Sequence, residues 1–387
     1  MIAGFIPLPG KIKLQESNYQ NAILVINMQS KIICYLLFSL VFVSTGSTQR
    51  DKKKGHPKNI ILMIGDGMGV AQIYAGLTAN KGSLNLERCT YVGFHKNQAA
   101  DDYVTDSGAG ATAFSIGKKT FNGAIGVDAT RVAQPTILEI AEDNKLATGL
   151  VVSCSITHAT PAAFIAHQPS RAMVEEIAAD FLKTDIDVFI GGGKKHFTQR
   201  KDGKNLLDSL KAKNYQVADT LTEIVKITSG KLAGFIADGE PPKVLEGRGD
   251  QLLQSTKTAL TILQKNKKGF FMMVEGSQID WGGHANDAAY TVNEMIDFDK
   301  AIGAVLDFAE KDGNTLVIIT ADHETGGMAL INGDMNSGKV EAKFNTTGHT
   351  GVMVPVFSYG PGAEKFSGIY PNYAIFEKIM AAFQFKK

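Results

Sequence analysis

Short runs of consecutive apolar residues recur along the chain: IILMI at 60–64, LVVSCSI from Leu150, DVFIGG from Asp187, FFMMVEG from Phe270, TLVIITAD from Thr315 and VPVFSYG from Val354. A strand with one wet face alternates apolar and polar residues, so unbroken runs predict a sheet buried on both faces. Between the runs, apolar residues return at helical spacing. Asn286 to Glu310 carries Val292, Met295, Ile296, Ile302, Val305 and Leu306 ahead of Gly313, which predicts one long helix with a glycine stop. A second helix is predicted at about Tyr373 to Phe383. Strands and helices in alternation predict a doubly wound α/β fold, with a mostly parallel central sheet, helices on both faces and ligands at the carboxyl ends of the strands. The polar, less periodic stretch 194–243 is expected to be a peripheral insertion, and the chain has neither internal repeats nor low-complexity tracts.

The first fifty residues follow a different pattern. Residues 28–50 read as a secretory signal, with Lys31 as the positive region, Ile32 to Val43 as the apolar stretch and small residues at Ser44 to Ser47. A membrane span needs about 20 apolar residues, so cleavage is expected, leaving no stable span and a secreted or periplasmic protein. Retention as an anchor, lengthened by AILVI at 22–26, is the alternative. Met28 is expected to be the true start, and residues 51–387 a single catalytic domain.

Composition narrows the chemistry. The 387 residues carry 40 Lys+Arg against 39 Asp+Glu, a net charge of +1, which excludes binding of nucleic acid by bulk charge. The 44% hydrophobic content excludes a disordered chain. Three cysteines cannot make a disulfide framework. Cys34 leaves with the signal, so Cys89 and Cys154 remain; Cys154, in an apolar run, is expected to be a buried free thiol, and no disulfide is expected.

Potential ligands, mostly acidic and histidine residues, fall at the ends of the apolar runs: Asp66, Thr160, Glu275, then Asp280 and His284, then Asp322 and His323. If the strands are parallel neighbours, these side chains share one rim. Carboxylates massed there would repel and resist desolvation, so a metal cluster is the economical explanation. Asp66 lies in GDGMG (65–69), which is either a structural turn or a ligand-bearing one, without the Lys and Ser/Thr of a P-loop. Asp106 and Ser107 open VTDSGAGATAF, where Ser107 is a helix cap, a nucleophile held at a helix N-terminus, or both. EGSQIDWGGH (275–284) and the adjacent Asp322 and His323 offer the oxygen and imidazole donors suited to Zn²⁺ and Mg²⁺. His349, flanked by glycines, reads alone as a surface residue, and Arg171 as a salt-bridged one.

Together these motifs resemble the alkaline phosphatase family. GDGMG, VTDSGAGATA, THATPAAFIAHQPSR, EGSQIDWGGH, TADHETGG and GHTG followed by VPVFSYGPGAEKFSG occur in the family's order from about Asn59 onward. The resemblance implies two zinc ions and one Mg²⁺: a first zinc on Asp280, His284 and His349, a second on Asp66, Asp322 and His323, and Mg²⁺ on Asp66, Glu275 and Thr160. It implies Ser107 as the nucleophile of a phosphoserine mechanism, activated by the second zinc, with Arg171 clamping phosphate and Asp106 orienting Arg171. Three divalent cations against four carboxylates and a serine alkoxide leave one positive charge, and Arg171 makes two, matching a phosphate dianion. Small-molecule phosphate monoesters are therefore the expected substrates, and a homodimer the family expectation.

His158 and Trp281 stand where members from enteric bacteria carry Asp and Lys, which leaves the third metal's identity open, with His158 as a possible ligand. The span from His323 to His349 is only 26 positions, too short for the large subdomain some members insert there. The competing readings are a phosphodiesterase or sulfatase of the same superfamily and a secreted binding protein without turnover. Sulfatases need a C/S-x-P-x-R setting, which Ser107-Gly-Ala-Gly-Ala lacks.

Overall fold

The computed structural model describes residues 56–386. The signal region and the Met28 start lie outside the described residues. In chain order the strands are β1 (Asn59–Gly65), β2 (Tyr91–Lys96), β3 (Ala147–Ser155), β4 (Val188–Gly192), β5 (Tyr215–Ala218), β6 (Lys231–Phe235), β7 (Phe270–Gly276), β8 (Thr315–Thr320), β9 (Glu324–Thr325), β10 (Ala329–Asp334), β11 (Lys339–Lys343), β12 (His349–Thr350), β13 (Val354–Tyr359) and β14 (Gly368–Pro371). Ten of them form the central sheet in the order β14-β2-β13-β8-β1-β7-β3-β4-β6-β5, while β10–β11 and β12–β9 make two small ribbons. Within the ten, β13 alone runs against its neighbours β2 and β8.

Burial on both faces explains the unbroken apolar runs. Ile60, Leu62 and Ile64 of β1 pack on one side with Phe114, Leu138 and Ile375, whereas Ile61 and Met63 point the other way into a core with Leu260, Met295 and Ile302. The helices behind those contacts are α1 (Val70–Ala79), α2 (Ser107–Ile116), α3 (Ile137–Asp143), α4 (Gln251–Leu263), α5 (Ile279–His284), α6 (Ala288–Asp312) and α7 (Ala374–Phe383). The long helix begins two residues later than its periodicity predicts. Asp287 caps it by accepting from Tyr290 N at 3.0 Å, and Gly313 ends it in the left-handed conformation, φ 69°.

The stretch 194–243 is peripheral only in position. Its strands β5 and β6 extend the central sheet at one edge, β6 pairing in parallel with β4 and β5 in parallel with β6. Phe197, Leu210 and Phe235 bury against the core there. Charged residues between short elements hide this from a sequence window. β2 also escapes periodicity, because Gly93 and exposed ends leave too little apolar signal. Among the described residues, no helix is long and apolar enough to cross a membrane. Cys89 is half-buried, Cys154 is fully buried, and both are free.

Register is what places the site. Ile64 of β1 lies opposite Glu275 of β7 on one side and Thr320 of β8 on the other. Asp66 and Asp322, each two residues further on, therefore emerge level with each other, just past Glu275. β3 joins in step, Val152 opposite Glu275. The chain turns sharply after Asp66 at Gly67, where φ is +74° and a Cβ would sit 2.7 Å from Asp280 Cα. Only glycine allows both the conformation and the approach.

Candidate active site

Ser107 is the first residue of α2, and the cap is Asp106, not the serine. Asp106 Oδ1 accepts from Ala109 N at 2.9 Å and Gly123 N at 3.0 Å, while Oδ2 accepts from Arg171 Nη1 at 2.9 Å. One carboxylate thus caps the helix and holds the guanidinium beside it. Asp106 N donates to Asn122 Oδ1 at 2.8 Å, a partner the sequence reading missed. Ser107 Oγ is buried, 3.2 Å from His323 Nε2. The small residues of α2 let it approach the rim, and a Cβ at Gly110 would come within 3.1 Å of Asp322 Cβ.

The rim residues gather in two compact sets, Asp66, Asp322 and His323 in one and Asp280, His323 and His349 in the other. The short helix α5 puts Asp280 and His284 one turn apart on one face. His284 Nε2 lies 3.3 Å and His349 Nε2 3.5 Å from Asp280 Oδ1, so His349 is no isolated surface residue. Thr160 Oγ1 approaches Asp66 Oδ2 at 3.5 Å. His158 stands edge-on to Trp281 with ring centroids 5.9 Å apart, its Nε2 3.5 Å from Arg171 Nη2. The candidate ligands, Ser107, Arg171 and Asp106 all lie around this rim, with Trp281 against His158. Glu275 sits beside the compact sets, with Cys154 Sγ 3.5 Å from its Oε2.

Thr325, which the sequence reading passed over, determines how His323 is presented. Its hydroxyl donates to Asp280 Oδ1 at 2.5 Å, so Thr325 Oγ1 accepts from His323 Nδ1 at 3.2 Å. His323 Nε2 then carries no proton and faces Ser107, Asp66 and Asp322 with a lone pair. Two backbone carbonyls act likewise. His284 Nδ1 donates to Thr347 O at 2.5 Å and His349 Nδ1 to Thr105 O at 2.8 Å, which leaves both Nε2 atoms facing each other across 3.1 Å.

Such an arrangement calls for positive charge. Asp66 Oδ1, Glu275 Oε1 and Asp322 Oδ2 are buried with no hydrogen-bond donor. Burial and then the neighbouring carboxylates raise Asp66 well above the usual range, burial and Asp322 push Glu275 up to about 8, and burial and Asp280 push Asp322 up to about 6. Burial would raise Asp280 too, but His284 and His349 hold it well below that range, and Asp280 in turn raises His284 to about 9. Burial and the neighbouring Arg171 lower His158 to about 4. Lone pairs of imidazole and carboxylate converging in pairs suit Zn²⁺, and the all-oxygen group of Asp66, Glu275 and Thr160 suits Mg²⁺. The donor set fits the metals that the motifs imply.

Fold and rim together define a metal-dependent hydrolase of the doubly wound α/β class. A sequence model of the alkaline phosphatase family matches residues 57–342. Alkaline phosphatase 3 of Bacillus subtilis is 36% identical, with 90% of this chain and 96% of that one covered. The Escherichia coli alkaline phosphatase is 33% identical, with 87% and 88% covered. Among solved structures, the alkaline phosphatase of the Antarctic bacterium TAB5 aligns with a TM-score of 0.82 at 44% identity, covering 86% of this chain and 99% of that one. Variants of the TAB5 enzyme with one histidine changed to Glu or Asp have Mg bound in the M3 site. The chain belongs to the alkaline phosphatase family and hydrolyses phosphate monoesters.

Proposed function

We propose that Ser107 is the nucleophile of this phosphomonoesterase and that the reaction passes through a phosphoserine. The observation that carries the reading is the position of Ser107 Oγ, buried at a helix N-terminus between the His323 lone pair and the Arg171–Asp106 pair. Asp280, His284 and His349 would hold one Zn²⁺, Asp66, Asp322 and His323 a second, and Asp66, Glu275 and Thr160 a Mg²⁺. When bound, these cations supply Lewis acidity that lowers the pKa of a hydroxyl or water and offsets charge on the phosphoryl oxygens.

The chain's own groups do the rest. Arg171, with Nη1 held by Asp106 and Nη2 only loosely engaged by His158, grips the non-bridging oxygens of the phosphoryl group. The unpaired amides at the start of α2 favour the same anion. Ser107 Oγ attacks phosphorus in line, the ester oxygen departs with the alcohol, and water then attacks the phosphoserine to release phosphate. Arg171→Ala should weaken competitive inhibition by inorganic phosphate about 10- to 100-fold, from loss of a charge-assisted bond of about 1.5–3 kcal/mol. An unchanged inhibition constant would remove Arg171 from the phosphate site.

The assay that tests the whole reading compares an aryl phosphate monoester with the matching diester, with and without chelator. Chelator-sensitive monoester hydrolysis with weak diester hydrolysis is the expected result. Preference for the diester would favour the superfamily's phosphodiesterases instead. The third cation is the finer question, because His158 adjoins Arg171 and Trp281 at that corner. In the TAB5 enzyme, a carboxylate in place of one histidine accompanies bound Mg. His158→Asp should therefore raise Mg²⁺ content and the response of activity to added Mg²⁺; unchanged values would detach His158 from the third site. Residues 51–387 act as a single catalytic domain, exported by the signal in residues 1–50, and N-terminal sequencing of the exported protein tests this. A homodimer is proposed on the family resemblance, to be checked by sedimentation.

A further inference from the structure

Glu324, the next residue after His323, has no part in the reaction above. It is 5% exposed, and its carboxylate collects four donors from three separate segments. Oε1 accepts from Gln72 Nε2 at 2.7 Å and Met328 N at 3.1 Å; Oε2 accepts from Gly327 N at 3.2 Å and from the Thr350 hydroxyl. Gln72 lies on α1, directly behind the turn that carries Asp66, and its Nε2 also donates to Thr325 O at 2.9 Å. Thr350 adjoins His349 on β12, which pairs with β9 so that Thr350 faces Glu324 and His349 faces Thr325. The Glu324 side chain crosses Gly69, where a Cβ would collide with it. A fully satisfied buried carboxylate thus draws together the loops bearing Asp66, His323 and His349.

The need for such a clamp follows from where His349 sits. Its two-residue strand lies outside the central sheet, and residues around it are only partly buried, so apolar packing does not fix its backbone. The Nδ1 contact to Thr105 O orients the ring but leaves the loop free to shift. We propose that Glu324 is the positioning residue for His349: by fastening Thr350 it sets how closely the imidazole approaches Asp280 and His284, and so how tightly that cluster binds its cation. The proposal rests on the reading that this cluster holds a cation.

Glutamine at 324 keeps the shape but turns an amide NH₂ toward Gly327 N–H or Thr350, and Thr350→Val removes the hydroxyl alone. Full-length wild type, Glu324→Gln, Thr350→Val and the double variant would be equilibrated with chelator-buffered Zn²⁺, and zinc per chain measured against free zinc, with visible spectra of the Co²⁺ forms. We expect one zinc equivalent to weaken about 10- to 100-fold in each single variant, the other to hold, and the Co²⁺ bands of the weakened site to change. The double variant should bind no more weakly than Glu324→Gln, since both changes remove one contact. Wild-type affinity at both sites in the variants, or equal weakening of both, would overturn the proposal. If Glu324→Gln does not fold, Thr350→Val decides alone. A wild-type protein that binds no zinc would overturn the cation reading as well, whereas normal wild-type binding with unaltered variants overturns only the role of Glu324.

Discussion

Alanine at position 107 will leave a protein that folds and retains its cations but hydrolyses phosphate monoesters at least about a thousandfold more slowly, the scale seen when a covalent nucleophile is removed. The fold should not notice the change. Ser107 is the first residue of α2, where alanine is a good helix former, and the cap belongs to Asp106. The lost hydroxyl removes one contact to His323 and no apolar packing. Steady-state turnover, zinc content and thermal stability should be measured together, with mass spectrometry of acid-quenched enzyme to detect the phosphoserine. A variant with normal zinc and near-normal turnover would remove Ser107 from the chemistry, and a phosphoserine on another residue would reassign it.

Chelation will destabilise the protein, and the loss will grow as pH rises from about 6.5 to 9. The folded chain binds the Glu275 proton more tightly than the unfolded chain does, because burial and then Asp322 push that carboxyl up to about 8. Stability from that proton is complete below the unfolded value near 4.3 and is lost as pH climbs through about 8. His284 behaves the same way: its pairing with Asp280 lifts it to about 9, so its contribution is present below about 6.5 and fades toward 9. Buried His158 and His323 are held low and stay neutral in the folded protein across this window, so the partial charging of their unfolded imidazoles near pH 6.5 affects metal-loaded and metal-free protein alike. Glu142, raised to about 7 by burial, adds a slope of the same sign that metals do not touch. The readout is therefore the difference between metal-loaded and metal-free protein. Each cation present at a hundred times its dissociation constant adds about 2.7 kcal/mol, so thermal midpoints should separate by many degrees at pH 9 and by less at pH 6.5. A gap that is small, or that narrows with rising pH, would mean that these carboxylates are not relieved by metal.

Much of the fold was legible because strands covered on both faces must be apolar at every position. β1, β3, β4, β7, β8 and β13 all announced themselves in this way. The edge strands β5 and β14 and their inner neighbours β6 and β2 did not, since the margins of the sheet are short, carry exposed or charged positions, and pair with partners far away in sequence. The candidate site was legible as residue types behind strands. Its internal wiring was not: Asp106 as cap and guanidinium holder, Thr325 between Asp280 and His323, and Glu324 beneath the His349 loop are ordinary polar residues until their partners are known. Glu324 and Thr325 stood inside a recognisable motif, and adjacency to His323 was the only sequence signal either gave.

The sequence by itself determined which segments are buried, that carboxylates and histidines follow them, and, through six ordered motifs, the family and its reaction. Those properties depend on local composition, which burial constrains residue by residue. Tertiary structure alone decided that Asp66 and Asp322 stand level with each other just past Glu275, that His349 joins Asp280 instead of facing water, and that three loops meet on Glu324. Each depends on strand register and on hydrogen bonds between residues as many as 255 apart, such as Gly67 N to Asp322 Oδ1, and such pairings exist only once the parallel sheet has set neighbouring strands in step.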